Sequence, residues 1–222
     1  MIKYRVSFVL VLAWSLLTIS SQPALAFLSA DKMNEQDAAI NPSLTRAQKK
    51  ADKRLRTIHG DIVSDYPGVN HLDADRFSAF GRDETLVFDV RKPSEYAVSH
   101  LPGAINIPPD MSADAFMAAF GEQLGDRSVV FYCSVGRRSS IMAERVASQL
   151  AGTNPSYNLV GGIFRWRNEE RPLAVSRPDG STLPTGYVHP YNALWGRYVA
   201  DRQAIRYSPA PVEETSSLPA NR

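Results

Sequence analysis

Ser128-Val129-Val130-Phe131-Tyr132-Cys133-Ser134-Val135-Gly136-Arg137-Arg138-Ser139 is the stretch on which the fold turns. Its first five residues form a nearly continuous apolar run, as expected of a strand buried on both faces of a parallel sheet. A short loop holding a glycine and two arginines follows. Beyond it, Ile141 or Met142, Val146 and Leu150 repeat at helical spacing from near Ser139, and Gly152 ends the helix. Strand, tight loop and helix in that order make half of a βαβ unit. Working outward, residues 86–90 give a second apolar run, residues 104–107 and 157–160 give shorter ones, and residues 69–72 can open the sheet. Ser112 can cap a helix carrying Phe116, Phe120 and Leu124, stopped by Gly125. The alternation predicts an α/β fold: an open parallel sheet of about five strands with helices on both faces.

Cys133 then falls just outside the carboxyl end of its strand, where open α/β sheets place their sites. The loop leads into a helix whose first N–H groups have no partner within the helix. If they converge on the sulfur they form an anion nest. Gly136 allows a backbone conformation closed to other residues, and Arg137 and Arg138 add positive charge. Each effect favours thiolate over thiol and makes Cys133 a candidate nucleophile. The competing reading is a structural cysteine that ends a core strand.

The chain has 222 residues, 25 basic and 23 acidic, and this balance argues against a dedicated nucleic-acid binder. Its single cysteine excludes an internal disulfide, a cysteine-based zinc cage and a two-cysteine redox motif. His59, His71, His100 and His189 lie without metal-ligand spacing, so no metal is expected.

Residues 1–26 read as a cleavable signal peptide: Lys3 and Arg5, then an apolar run over 6–19, then Ala24-Leu25-Ala26. The run is about 14 residues, short of the ~20 that span a bilayer, which disfavours an uncleaved anchor. Export to a periplasm follows, with no stable membrane insertion after cleavage. Removing Lys3 and Arg5 leaves 23 charges of each sign. A lone cysteine is unusual in an oxidising compartment and asks for an explanation.

The expected organisation is residues 1–26 signal peptide, 27–60 a helical extension, 61–176 the α/β domain, 177–207 an aromatic extension and 208–222 a disordered tail. Residues 43–59 read as a surface helix capped by Ser43. Its cluster of Lys49, Lys50, Lys53, Arg54 and Arg56 reads as a solvated face rather than a membrane contact. After Arg171 strand signals are few, prolines and aromatics dominate, and residues 192–206 can form a last helix. This extension packs on the core or forms an aromatic ligand-binding patch, and as a flanking segment it can dock the protein on a partner or restrict access to Cys133.

Several blocks in order resemble the rhodanese (thiosulfate sulfurtransferase) family, from about Val69 to Leu173. They are Val87-Phe88-Asp89-Val90-Arg91 with Glu95-Tyr96, His100-Leu101-Pro102-Gly103-Ala104, the loop Tyr132–Ser139, and Leu159-Val160-Gly161-Gly162-Ile163-Phe164-Arg165-Trp166. The resemblance implies that Cys133 takes the outer sulfur of an anionic donor as a persulfide and passes it to a thiol or cyanide, with no cofactor. It implies that Ser134, Val135, Gly136, Arg137, Arg138 and Ser139 cradle the persulfide, with one of the two arginines facing inward. Asp89 and Arg91 would brace the loop from behind or form a structural ion pair, and His100 is expected to be structural. Related phosphatases and arsenate reductases carry a longer loop with arginine six positions after the cysteine and histidine before it. Ser139 and Tyr132 stand at those places here, so sulfur transfer is favoured over phosphate chemistry. The alternatives are a weakly active sulfur- or partner-binding module and a redox partner that forms mixed disulfides.

Overall fold

The computed structural model describes residues 44–210 apart from 151 and 153. The proposed signal peptide, Ser43 as a cap, and residues 211–222 of the proposed tail lie outside the described residues. In chain order the elements are α1 (Arg46–Asp65), β1 (Asn70–Leu72), α2 (Ala74–Ser78), β2 (Thr85–Asp89), α3 (Pro93–Val98), β3 (Ile105–Asn106), α4 (Ala113–Leu124), β4 (Ser128–Tyr132), α5 (Arg137–Leu150), β5 (Ser156–Leu159), α6 (Gly162–Asn168), β6 (Leu173–Ser176) and β7 (Thr182–Thr185).

The first five strands pair in parallel in the order β1-β5-β4-β2-β3, with β4 at the centre between β5 and β2. Alternation along β4 explains its apolar run. Val129 and Phe131 point into a cluster with Phe116 and Leu124 of α4 and Met142, Ala143, Val146 and Leu150 of α5. Val130 and Tyr132 point into a second cluster with Leu55 of α1 and Ile163, Phe164 and Trp166 of α6. A strand covered on both faces has no position at which a polar side chain could reach water. Cys133 continues the alternation and lies in the first cluster, 1% exposed. The rings of Phe88, Phe116 and Phe131 meet there at centroid distances of 5.0 to 5.6 Å.

Helix α4 follows its sequence signals: the Ser112 side chain accepts from the Ala115 N–H, and Gly125 closes the helix at φ +55°. Helix α1 is longer than the expected 43–59. Its cap is Thr45, in a reciprocal pair with Gln48 that satisfies two backbone donors at once. Ala51, Leu55 and Ile62 form its buried stripe. In its basic cluster, Arg56 pairs with Asp52 one turn earlier on the same helix, and Arg54 reaches the rest of the protein by donating to the Arg197 carbonyl.

The segment after Arg171 corrects the sequence reading twice. Residues 173–185 form an antiparallel hairpin, β6–β7, whose turn is closed by Asp179 accepting from the Ser181 N–H with Gly180 at φ +82°. The hairpin joins the main body through reciprocal backbone bonds between His100 and Ala174. Residues 192–206 do not form a continuous helix. They give two short 3₁₀ turns, Trp195–Tyr198 and Arg202–Ala204. Tertiary pairing prevails over local propensity here: the Val188 N–H donates to the Ala204 carbonyl and the Arg206 N–H to the Val188 carbonyl. Asp201 caps the second turn by accepting from the Gln203 N–H.

Candidate active site

Helix α5 begins at Arg137, two residues earlier than expected, because the Ser140 N–H already donates to the Gly136 carbonyl. The connection from β4 is therefore only four residues long, Cys133 to Gly136. Gly136 adopts φ +105°, a conformation that turns the chain back over the sulfur. Its N–H donates to Cys133 Sγ at 3.2 Å. The backbone N–H groups of Val135 and Ser139 add to the positive surroundings that lower the thiol pKa. Burial alone pushes the thiol pKa up; the positive charge of Arg138 and these polar groups outweigh it, so the thiolate is favoured relative to free cysteine.

The two arginines separate. Arg137 turns outward to Asp65 at the end of α1, at 2.7 Å, with both side chains more than 40% exposed. Arg138 faces the site. Its guanidinium makes a forked pair with Glu95 (2.8 and 2.9 Å) and donates to the Ser134 hydroxyl at 3.0 Å. Burial pushes the Glu95 pKa up, and the Arg138 bonds outweigh that and hold it ionised. Glu95 is the carboxylate that braces the loop, accepting from Ser134 Oγ at 3.3 Å as well.

Asp89 and Arg91 sit one layer further back. They form a fully buried ion pair, 2.6 Å at its closest, and Arg91 also donates to the Ser99 carbonyl. Their link to the loop runs through Tyr132, whose ring lies 5.7 Å from the Arg91 guanidinium and whose hydroxyl accepts from the Leu101 N–H at 3.1 Å. Ser139 donates to Asn158 Oδ1 at 2.6 Å, and Asn158 in turn contacts His71 at 3.2 Å. His59 and His71 meet edge to face at 4.8 Å, a contact invisible in their sequence spacing. Among the described residues no group of three or more His, Cys, Asp or Glu side chains is arranged to hold a metal. His100 stacks on Tyr96 at 4.1 Å and bonds the Leu101 carbonyl and Ser176 hydroxyl.

The floor of the loop comes from α6. Ile163 and Phe164 donate their N–H groups to the carbonyls of Cys133 and Ser134 at 2.9 and 3.1 Å. Glu95, Asn158 and Gly162 were not singled out by role in the sequence. Glu95 and Gly162 lay inside the quoted motifs, but only the folded chain brings them to the cysteine.

If Arg138 charges the site, replacing both Arg138 and Glu95 by glutamine removes the charge without stranding a buried carboxylate. The pH midpoint for alkylation of Cys133 by iodoacetamide then moves upward, and the rate at pH 7 falls about tenfold, because only the thiolate reacts. An unchanged pH–rate profile would show that the N–H groups act alone.

A buried cysteine whose sulfur accepts a loop N–H, with one arginine turned toward it, thus stands at the carboxyl edge of a parallel sheet. A family model for the rhodanese-like domain matches residues 74–169. The chain is 32% identical over 103 residues to the thiosulfate:glutathione sulfurtransferase of Saccharomyces cerevisiae, a stretch covering 42% of this chain and 73% of the yeast protein. It is 31% identical over 114 residues to a sulfurtransferase of Allochromatium vinosum, covering 50% of this chain and 99% of that protein. The adenylyltransferase and sulfurtransferase MOCS3 of Drosophila yakuba matches at 30% over 90 residues, 39% of this chain and 20% of its own length. The chain belongs to the rhodanese-like family, and these relatives are sulfurtransferases.

Proposed function

We propose that this protein is a sulfurtransferase that moves sulfane sulfur from thiosulfate or a related anion to a thiol or cyanide through a persulfide on Cys133. The observation that carries this reading is the Gly136 N–H donating to Sγ at 3.2 Å at the mouth of α5, with the Arg138 charge and the neighbouring loop N–H groups favouring the thiolate. The Cys133 thiolate attacks the outer sulfur of thiosulfate. A new S–S bond forms, the donor's S–S bond breaks, and sulfite leaves with the electron pair. The same N–H groups then hold the anionic terminal sulfur. An acceptor thiolate or cyanide attacks that sulfur, producing a persulfide or thiocyanate and regenerating the Cys133 thiolate. No redox change outside the sulfur atoms is needed, and no cofactor enters. With one cysteine in the chain, the sulfur must leave to an external acceptor. The signal-like residues 1–26 support a periplasmic site of action.

Burial of Cys133 favours one alternative, a domain that binds sulfur or a partner and turns over weakly. Intact-mass measurement after incubation with thiosulfate separates the two. The expected result is a gain of one sulfur atom, lost on adding cyanide and absent in Cys133→Ser. A folded, reduced protein that takes up no sulfur from any sulfane donor would overturn the transferase reading.

A further inference from the structure

Residues 187–207 lie beyond the stretch matched to the family, yet they reach the cysteine loop. Tyr191 places its ring over the Arg138 guanidinium at 5.1 Å. The edge of that guanidinium is taken up by Glu95 and Ser134, so the aromatic ring covers a face. Tyr191 does this from a conformation that disfavours it. Its φ is +66°, a region that tyrosine enters at a cost, and the side chain remains 43% exposed, so core burial does not offset that cost. The backbone around it is held firmly. The Tyr191 N–H donates to His189 Nδ1 at 3.0 Å, His189 packs edge-on against Tyr207, and Val188 pairs with Ile205. Cys133, Ser134 and Val135 are each at most 5% exposed, whereas the Arg138 side chain keeps 24%. Arg137, the more exposed of the two arginines, is turned away to Asp65, so Arg138 is the partly exposed cation on the sulfur's side, and Tyr191 stands on it.

We propose that Tyr191 is a specificity-determining residue of the Cys133 site. Its ring narrows the approach along Arg138, so that compact anions reach the sulfur and bulky thiols or protein cysteines do not. A compact anion is drawn to the exposed part of the guanidinium and slips beside the ring. A bulky acceptor must first break the cation–π contact and swing the ring aside. The choice of substrates rests on the sulfurtransferase reading, but the question of access does not.

Cys133 is the single cysteine, so alkylation of the full chain reports on one site. Iodoacetate serves as the compact anionic probe and a fluorescein-bearing maleimide as the bulky one. The quantity to compare is the ratio of bulky to compact alkylation rates in the native protein, Tyr191→Asn, Tyr191→Gly and Tyr191→Phe. Asparagine and glycine both accept the positive φ, so neither adds backbone strain. The ratio is expected to rise about fivefold in both, the release of one partly exposed cation–π contact, and to stay within about twofold in Tyr191→Phe, which keeps the ring. A ratio unchanged in both Tyr191→Asn and Tyr191→Gly overturns the proposal. A raised ratio in a protein that gains no sulfur from thiosulfate keeps the gate and removes the sulfurtransferase reading instead.

Discussion

Gly162→Ala is expected to destabilise the protein by about 3 kcal/mol, lowering its melting temperature by roughly 10 °C and abolishing efficient sulfur loading. A Cβ at this position would lie 2.3 Å from the Cys133 carbonyl oxygen and 2.8 Å from the Ser134 carbonyl carbon. Both are backbone atoms of the cysteine loop and cannot rotate away like the end of a side chain. Gly162 also sits at φ +53°, which alanine enters at a further ~1 kcal/mol. Relief requires α6 to back away from the loop, breaking the bonds from the Ile163 and Phe164 N–H groups to the Cys133 and Ser134 carbonyls. Gly103→Ala is the matched control. Its φ is +78°, but a Cβ there meets nothing within 4 Å, so only the backbone cost remains. Equal loss in the two variants, by thermal melting and mass-detected loading, would rule out the close approach as the cause.

Arg91→Leu is expected to cost about 3–5 kcal/mol, the usual result of removing one member of a buried ion pair. Burial alone would push the Arg91 pKa down, but the Asp89 carboxylate outweighs it and keeps the guanidinium charged. Asp89 accepts from Arg91 Nε and Nη2, and both residues are 0% exposed. Without the guanidinium, a carboxylate is left in the core next to Tyr132, one residue before the nucleophile. The double variant Asp89→Leu/Arg91→Leu removes the stranded charge and should recover much of the loss in urea unfolding. A double variant no more stable than Arg91→Leu would show that the lost bond to the Ser99 carbonyl, rather than charge burial, dominates.

The sheet was legible because β4 and β2 carry short runs of consecutive apolar residues bounded by turn signals, as strands covered on both faces do. Ser112 and Gly125 bounded α4 through capping chemistry that acts over three or four residues. The Thr45–Gln48 capping pair is equally readable in the sequence, two residues after the Ser43 that Pro42 suggests as a cap. The hairpin turn also left a signal in Pro178-Asp179-Gly180, although its strands have only four residues each. The 3₁₀ turns near the end could not be read locally, since pairing with residue 188 replaces the helix. Which arginine faces the sulfur was hidden for the same reason. It depends on Asp65 and Glu95, which lie 72 and 43 residues away in sequence. Cys133 itself was visible because its neighbours in sequence are also its neighbours in space. Its gatekeeping tyrosine was not, because nothing in the letters around Tyr191 demands a left-handed backbone.

The strict alternation along β4 makes the sheet a counting device. Odd-numbered residues from Val129 to Cys133 face α4 and α5, and even-numbered ones face α1 and α6. The sulfur therefore owes its side of the molecule to parity. Inserting one residue into β4 would deliver it to the opposite layer, away from the nest that receives it, while the chemistry of every side chain stayed the same. Two residues would restore the side but lengthen the strand beyond its partners. Length variation in this chain is confined by that arithmetic to places that do not count, such as the turn between β6 and β7.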